Sequence, residues 1–349
     1  MSQAAAMRTD GVVKSAQAAP ARCPACGCAA GTGPLDEFHG VSLYSCAECD
    51  LRYWQPVSMP DAAWYERAYQ GRDQSEMPLE PGHRYFLDDP KAPKSGRLLD
   101  LGCGVGNFLA AARDAGFEVT GIEMNRNAVQ FARERYRLPN VVAMRPEEFC
   151  TAPGQGKFDV VTFFEVLEHQ ENPLGFVAAA KECLVEGGYV ALSVPNRNRW
   201  QKGMETLDYP PNHLTRWSPR ALENFLARSG FEVLSMKEEP LGVRRAADVL
   251  SMGLHTGLAA RVAGEPAPML ADLAEMEPQE MERAMAQLAE NPRHRLTERL
   301  VRWKNLALVP AAGVALPYLR LRGHKGLYLY CLARKKSFSR SDSPADAGT

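Results

Sequence analysis

The residues with the clearest chemical potential are two pairs of cysteines near the start of the chain, each in a Cys-x-x-Cys pattern. They are Cys23, Cys26, Cys46 and Cys49. Two such pairs at this separation are typical of a structural zinc site, because four thiolates complete a tetrahedral shell and leave no position open for catalysis. Gly27 and Asp50 follow the two pairs, and both tolerate the left-handed backbone conformation. The pattern predicts a zinc ribbon over 21–58.

Two other interpretations of these cysteines stay open. Cys28 is a further thiol beside the first pair and competes with Cys26 as a ligand, and the cysteines can also be free buried thiols. The charge of the ribbon does not favour nucleic-acid binding. Its two basic and four acidic residues over 21–58 are a poor match for a phosphate backbone. We expect a structural or substrate-facing role, with no nucleic acid as partner.

A second chemical pattern lies in 98–109, where an apolar run ends in three alternating glycines, Gly102, Gly104 and Gly106. An apolar helix pattern follows, so the segment predicts a strand, a tight turn and a helix start. Such glycines let a ligand approach the backbone closely, and free N–H groups at the helix start face that ligand. A dinucleotide fingerprint would have its third glycine where Asn107 stands, which counts against a nicotinamide enzyme, the alternative function.

Acidic residues flank this turn in the sequence. Asp100 lies two residues before the first glycine, and Glu123 ends the alternating segment 117–123, which predicts a second strand. A carboxylate at the end of that strand can accept both hydroxyls of a ribose. Asn125 is placed to cap the helix that follows, and Ser218 is placed to cap a later helix that has Pro219 at its first position. The turn and its acids together predict a site for a ribose-containing cofactor.

Candidate bases follow the later strands. The run 158–166 is nearly continuously apolar, as in a parallel strand buried on both faces; Glu165 lies at its end and His169 soon after. His213 lies in a proline-stiffened loop after the next predicted strand, at the edge of the sheet where ligands bind in open α/β folds. Each can act as a general base. Alternatively both histidines are structural, Glu168 and His169 only cap the next helix, and Glu165 lines the pocket.

The glycine turn after Asp100 and the block Phe-Asp-Val-Val-x-x-x-Glu-Val-Leu-Glu-His at 158–169 resemble motifs of the class I S-adenosylmethionine-dependent methyltransferases. Within that family they are similar to the small-molecule group that includes the ubiquinone-type O-methyltransferases. The resemblance covers roughly 96–240 and a final strand near 326–334. It implies an α/β, Rossmann-like sheet of seven strands with helices on both faces.

The resemblance also implies site residues and a reaction. The cofactor would be S-adenosyl-L-methionine, beside structural zinc. A zinc ribbon ahead of such a domain is similar to an arrangement in some sugar C-methyltransferases. The acceptor would be a small molecule, with O- or C-methylation of a sugar or a lipid-linked intermediate favoured. The cofactor-binding residues implied are Asp100, Gly102, Cys103, Gly104, Gly106, Asn107, Glu123, Met124, Glu147 and Phe164, and the catalytic candidates are His213, His169 and Glu165.

The chain is predicted to divide into six parts. These are a disordered tail (1–20), the ribbon (21–58), linking helices over the cofactor pocket (59–95), the methyltransferase domain (96–241 and 326–336), a helical insertion (242–325) and a second disordered tail (337–349). Helix 174–184 is expected to stop at Gly187 and Gly188. A non-catalytic module that keeps this fold for binding is a further alternative.

The insertion is segregated by charge. Residues 265–290 hold seven acids and one base, whereas 293–325 hold eight bases and one acid around a short apolar run. That run is too short to span a bilayer. Flanked by bases, it predicts a peripheral membrane contact through 293–325, and the alternative is a lid or dimer contact whose bases pair with the acidic part. The oligomeric state is open.

Whole-chain composition limits the remaining classes. The 349 residues are 45% hydrophobic, enough for a substantial core, and the net charge of −1 argues against a general nucleic-acid binder. The start lacks the long apolar core of a secretory signal, and an odd number of cysteines, nine, suggests a reducing compartment. The sequence therefore predicts a cytoplasmic enzyme with possible membrane association through the insertion.

Overall fold

The structure is a computed structural model and describes residues 22–29, 31–57, 75–152, 156–200, 208–252 and 292–337. The first three strands form the ribbon: β1 (Thr32–Phe38), β2 (Val41–Ser45) and β3 (Arg52–Gln55). The later strands are β4 (Gly96–Leu101), β5 (Phe117–Glu123), β6 (Val141–Ala143), β7 (Phe158–Phe164), β8 (Leu184–Pro195), β9 (Thr215–Arg216), β10 (Phe231–Pro240) and β11 (Lys325–Lys335).

Seven of these strands form one sheet in the order β6-β5-β4-β7-β8-β11-β10. Strands β4 to β8 pair in parallel, whereas β11 runs antiparallel to both of its neighbours. The predicted fold class is confirmed, including the last strand, which inserts between β8 and β10. The parallel strands end at a common edge, and this edge receives the candidate site.

Helices cover this sheet on both faces. They are α1 (Pro81–Asp88), α2 (Asn107–Asp114), α3 (Arg126–Tyr136), α4 (Pro146–Thr151), α5 (Pro173–Glu182), α6 (Pro219–Arg228), α7 (Val243–Met252) and α8 (Pro292–Leu321). Side chains of β7 alternate between two core clusters. Val161 and Phe163 pack with α5 and α6, whereas Val160 and Phe164 pack with α1 and α2. A central strand buried on both faces needs this continuous apolar sequence.

Local signals set several helix starts as predicted. Asn125 Oδ1 accepts hydrogen bonds from the N–H groups of Asn127 and Ala128, at 2.9 and 3.3 Å, and caps α3. Ser218 Oγ accepts from the N–H of Ala221 at 3.1 Å and caps α6. These caps satisfy backbone donors that a helix start leaves unpaired.

One predicted boundary is wrong. Gly187 and Gly188 do not stop a helix, because α5 ends at Glu182 and both glycines lie within β8. The pairing of β7 with β8 passes from Phe158↔Leu184 to Val160↔Tyr189, so the intervening residues form an irregularity in the strand. Gly187 adopts φ +71° there, a conformation that glycine reaches without steric cost.

The ribbon strands continue into a four-stranded sheet, in the order β1-β2-β3-β9. The fourth strand comes from the loop after β8, and it pairs antiparallel with β3 through Arg52↔Arg216 and Tyr53↔Thr215. No sequence pattern predicted this strand, which is two residues long. The ribbon is thereby joined to the loop that carries His213.

The described part of the insertion consists of α7 and α8, which pack through Leu241, Ala246, Ala247 and Ala312. Among the described residues, no helix combines the length and apolar character needed to cross a membrane. The acidic stretch 265–290, the tail 1–20, nearly all of 337–349 and much of the linking segment 59–95 lie outside the described residues.

Candidate active site

The glycine turn follows β4 and is fixed to the end of β5. The N–H groups of Gly102 and Cys103 donate to the carbonyl oxygen of Ile122 at 2.7 and 3.1 Å. The N–H of Gly104 donates to Glu123 Oε2 at 3.0 Å. All three glycines of the turn have positive φ, at +80°, +51° and +81°. The turn therefore needs glycine at each position.

The three glycines differ in what surrounds them. A Cβ at Gly102 would lie 2.6 Å from Val166 Cγ2, and one at Gly106 would lie 2.9 Å from Ala132 Cβ. A Cβ at Gly104 would meet nothing within 4 Å. Gly102 and Gly106 are thus required for close packing against neighbouring side chains. Gly104 instead borders open space beside the Glu123 carboxylate. This is the place where a cofactor can lie against the backbone.

Two acids lie beside the turn, the buried Asp100 and the half-buried Glu123. Glu123 Oε1 accepts from the N–H of Asn125 at 2.8 Å, so its carboxylate links the turn to the start of α3. Asp100 Oδ1 accepts from Thr162 Oγ1 at 2.7 Å. Burial raises the pKa of Asp100 to about 7, against the opposing effect of the Thr162 hydrogen bond. A cationic group arriving here would favour the ionised carboxylate.

The other proposed cofactor residues have varied surroundings. Asn107 Nδ2 donates to the carbonyl oxygens of Met77 and Pro78, at 3.2 and 3.0 Å, and so holds the segment before α1 over the turn. Cys103 is buried, Met124 is half-buried just after β5, and Glu147 is half-buried in the first turn of α4. The structure brings Asp100, Cys103 and Glu123 together at the turn, and it ties Asn107 to a covering segment.

Phe164 lies in an aromatic cluster that the sequence did not indicate. Its ring centroid is 4.9 Å from that of His83 and 4.8 Å from that of Phe108. His83 Nδ1 accepts from the N–H of Glu80 at the start of α1, and burial lowers the pKa of His83 to about 4. A neutral imidazole therefore packs α1 against the end of β7. The surrounding segment suggested only aromatic character, without a partner for His83.

Glu165 is the first candidate base and sits directly after β7 with φ +54°. Ser193 Oγ donates to Glu165 Oε1 at 2.7 Å. Burial raises the pKa of Glu165 to about 8, and the charge of Glu80 adds to the increase. The group is therefore mainly protonated at neutral pH, so it fits a pocket-lining role better than that of a base.

The two candidate histidines lie next to each other, with ring centroids 5.1 Å apart. His169 ends a short 3-10 turn (Leu167–His169), and its Nδ1 lies 2.5 Å from the carbonyl oxygen of Asn212. That carbonyl can only accept, so Nδ1 carries the proton. Burial lowers the pKa of His169 to about 3 and also lowers that of His213. Both imidazoles are therefore neutral at pH 7, and the low pKa makes His169 a weak base.

Glu168, which the sequence suggested only as a helix cap, faces both histidines. Its Oε1 lies 3.7 Å from His169 Nε2 and 3.9 Å from His213 Nε2. The side chain is buried, and neither carboxyl oxygen has a hydrogen-bond partner among the described residues. Asn172, and not this pair, caps the following helix, so that alternative is wrong. Apart from the cysteine cluster, these three groups are the described ones close enough together to hold a metal ion.

Asp208 completes the surroundings of His213. Its carboxylate accepts from Arg199 Nη2 at 2.6 Å and lies 3.5 Å from Arg216 Nη2. Asp208 Oδ1 is 3.9 Å from His213 Nδ1. The loop sequence contained Asp208, but its two arginine partners come from separate positions in the chain. No local pattern indicated that the three would meet.

The four ribbon cysteines have the geometry of a metal site. Cys23 Sγ lies 3.5 Å from Cys49 Sγ, Cys26 Sγ lies 3.6 Å from Cys46 Sγ, and all four sulfurs are within 4.8 Å of one another. Tetrahedral zinc with its usual bond length separates sulfurs by about 3.8 Å. The donor set therefore fits zinc, and Cys28 lies outside it.

Both cysteine pairs sit in matching backbone turns. The N–H of Gly27 donates to the carbonyl oxygen of Cys23 at 2.8 Å, and that of Asp50 donates to Cys46 at 3.0 Å. Gly27 and Asp50 have φ of +71° and +67°. These are the left-handed positions that the sequence predicted after each pair.

Comparisons with known proteins agree with this geometry. Residues 69–236 match a family model described as a methyltransferase domain. The ubiquinone biosynthesis O-methyltransferase of Thiobacillus denitrificans is 36% identical over 115 residues, which cover 32% of this chain and 49% of that protein. The enzyme of the same name from Aromatoleum aromaticum is 39% identical over 106 residues, or 29% of this chain and 45% of that one. The chain spans about half the length of these relatives.

Solved structures with similar architecture include the [4+2]-cyclase SpnF, with a TM-score of 0.44 and 18% identity over 73% of this chain and 80% of that one. A putative sarcosine dimethylglycine methyltransferase from Galdieria sulphuraria has a TM-score of 0.45 and 12% identity, covering 80% of this chain and 98% of that one.

The glycine turn yields the first prediction. Gly104→Ala and Gly106→Ala carry similar backbone strain of about 1 kcal/mol, since both φ values are positive. Gly104→Ala should weaken S-adenosylhomocysteine binding at least about tenfold with little further loss of stability, because its methyl group enters the open space. Gly106→Ala should lose more stability and keep the affinity of the folded fraction. Calorimetry measures the affinity and thermal unfolding measures the stability. Equal affinities of the parent and of Gly104→Ala would contradict a cofactor site against the backbone of Gly104.

The cysteine cluster yields the second prediction. Metal analysis of the purified chain should give about one zinc ion per chain. Cys46→Ser should release the ion and loosen the ribbon, since metal binding at such sites is coupled to folding. Cys28→Ser is the matched control and should keep the metal. A zinc-free parent with a folded ribbon, or zinc loss from Cys28→Ser alone, would refute the ligand set.

Proposed function

We propose that this chain, which contains a class I S-adenosylmethionine-dependent methyltransferase domain, transfers a methyl group from S-adenosyl-L-methionine to a small-molecule acceptor. The observation that carries the proposal is the sharing of one sheet edge by two kinds of group. Asp100 and Glu123 lie at the ends of β4 and β5, beside the glycine turn that follows β4, while Glu165, His169 and His213 follow β7 and β8. A cofactor and an acceptor can therefore meet across adjacent strand ends.

On the cofactor side, three groups have distinct roles in this proposal. Asp100 holds the ammonium group of the methionine end, Glu123 accepts the ribose hydroxyls, and the backbone at Gly104 leaves room for the cofactor to pass. S-Adenosylmethionine supplies an activated methyl group on a sulfonium, so the protein mainly has to align the nucleophile with that methyl. Glu123 already accepts two backbone N–H groups, which fix its carboxylate before any ligand arrives.

On the acceptor side, His213 is the proposed base, with His169 as the second candidate. Both are neutral at pH 7, and His169 has its Nδ1 proton directed to Asn212. A neutral imidazole can take the proton that a hydroxyl or an acidic carbon loses as it attacks the methyl group. Glu165 is mainly protonated at neutral pH because burial raises its pKa to about 8, and burial also raises the pKa of Glu168. They line the pocket in this proposal.

The acceptor class is proposed more narrowly as a sugar or a lipid-linked intermediate, methylated at oxygen or carbon. The curated relatives are named as O-methyltransferases of ubiquinone biosynthesis, which supports oxygen as the methylated atom. A nicotinamide oxidoreductase would need a glycine where Asn107 stands. Structural zinc on the four ribbon cysteines is part of the same proposal.

A membrane contact through 293–325 stays a prediction. The end of α8 exposes Val314, Tyr318 and Leu321, which gives apolar side chains at its surface. Arg320 Nε donates to the carbonyl oxygen of Leu241, and Lys325 Nζ lies 3.4 Å from Glu238. Two of the bases are therefore engaged within the protein. The proposed location is the cytoplasm, with the insertion as the part that would touch a membrane.

Cofactor binding gives the third prediction. The chain should bind S-adenosylhomocysteine and not NAD. Because the ammonium group favours ionised Asp100, whose pKa is about 7, affinity should fall about tenfold from pH 8 to pH 6. Asp100→Asn should bind more weakly and show little of this pH dependence. Calorimetry at several pH values measures it, and tight NAD binding without a response to S-adenosylhomocysteine would sink the proposal.

Methyl transfer gives the fourth prediction. Incubation with methyl-labelled S-adenosylmethionine and fractionated cell extract should label a small molecule. His213→Gln should reduce the rate about a hundredfold or more, in the range typical of a lost general base, and leave S-adenosylhomocysteine affinity unchanged. His324→Gln, at a histidine that stacks on Trp200 outside the candidate site, is the matched control and should keep the rate. Full activity of His213→Gln would contradict His213 as the base and leave His169 as the candidate.

A further inference from the structure

The loop 208–217 carries His213 between the ribbon and the core. On the core side, the N–H of Leu214 donates to the carbonyl oxygen of Glu168 at 2.8 Å. Thr215 Oγ1 also lies 3.4 Å from this oxygen and from the carbonyl oxygen of Leu167. This side of the loop is therefore held against the turn that contains His169.

On the ribbon side, a single residue holds both ends of the segment around His213. The backbone N–H of Trp54 donates to the carbonyl oxygen of Leu214 at 2.9 Å. Its indole Nε1–H donates to the carbonyl oxygen of Asp208 at 3.1 Å. Trp54 is buried, so both hydrogen bonds are shielded from water. Leaving such a buried group unpaired is unfavourable, so both hydrogen bonds help to hold the segment.

Aromatic packing adds to this attachment. The ring centroid of Tyr209 lies 5.5 Å from that of Trp54 and 4.7 Å from that of Phe38, so two ribbon rings contact one loop ring. Tyr209 Oη also donates to Asp36 Oδ2 at 3.3 Å. The residue next to Asp208 is thus held by β1 as well as by β3.

Asp50 links the metal cluster to the same region. It directly follows Cys49, and its Oδ2 accepts from Arg197 Nη2 at 2.8 Å and from the hydroxyl of Ser218. Ser218 caps α6 just beyond the loop. The turn that orients Cys49 therefore also orients the carboxylate that fixes the far end of the loop.

We propose that the ribbon positions His213, with Trp54 as the positioning residue, so that the metal-bound ribbon forms part of the acceptor side of the site. The inference rests on the proposed function for the role of His213. The ribbon hydrogen bonds described above have their partners at Arg197 and within 208–218. The hydrogen bonds of the glycine turn have theirs at Ile122 and Glu123. Loss of ribbon order should therefore disturb the acceptor side and spare the cofactor side.

The test uses the full-length, zinc-loaded chain and the variant Trp54→Phe, which keeps an aromatic ring and the backbone N–H but removes the indole donor and part of the ring volume. Amide hydrogen exchange over 212–217 should become at least about tenfold faster, and the Cε1–H resonance of His213 should shift in the NMR spectrum. Zinc content and S-adenosylhomocysteine affinity should stay within about twofold of the parent. Trp200→Phe is the matched control, because Trp200 stacks on His324, away from the ribbon, and it should leave these readouts unchanged.

Reversible removal of zinc from the parent chain is the second measurement, and it does not depend on how a variant folds. Chelation should speed exchange over 212–217 and spare 98–125, and added zinc should restore protection. Unchanged exchange and an unchanged His213 resonance in Trp54→Phe, or no response to chelation, would overturn the proposal. A parent that fails to bind S-adenosylhomocysteine would instead sink the proposed function, because exchange and resonance are read without the cofactor.

Discussion

The burial of β7 on both faces is the constraint on which the rest of the fold depends. Its alternating side chains belong to two separate core clusters, so both helical layers need this strand in the centre of the sheet. The polar side chains within β7 are Asp159, which accepts from the N–H of Arg97, and Thr162, which donates to Asp100. The acids and histidines of the site begin after the strand, at Glu165, where the requirement for apolar side chains on both faces ends. The location of the site follows from the location of the core.

Carboxyl groups dominate that edge, and they are maintained there against the cost of burial. Asp100, Glu165 and Glu168 all have pKa values raised by their surroundings. Burial favours the protonated form of each carboxyl, whereas a cation placed beside it would favour the ionised form. A ligand with a positive group would therefore change the protonation of this edge when it binds.

Local sequence signals predicted most of the central fold. The glycine turn and the helix caps Asn125 and Ser218 depend on neighbouring residues, and all were found. The strand order followed from the resemblance to a known family, and it was found as well. What was not predicted depends on residues far apart in sequence. Strand β9 is only two residues long, and its pairing with β3 is visible only in three dimensions. The approach of Glu168 to His213 likewise joins residues from separate elements. Asp208 meets Arg199 and Arg216 within one loop region, but no periodic pattern fixes how that loop folds. At Gly187, a glycine that can end a helix instead allows an irregular strand, and periodicity alone does not separate the two.

The pairing of β3 with β9 also bears on how the chain is made. The ribbon precedes the large sheet in sequence, whereas β9 follows all five parallel strands of that sheet. Until the loop that contains β9 is synthesised, β3 has an open edge of unpaired N–H and C=O groups, the kind of edge that recruits other strands. Contacts this distant in sequence form late and slow the search for the native state. The ribbon can therefore complete its sheet only after the five parallel strands have been synthesised.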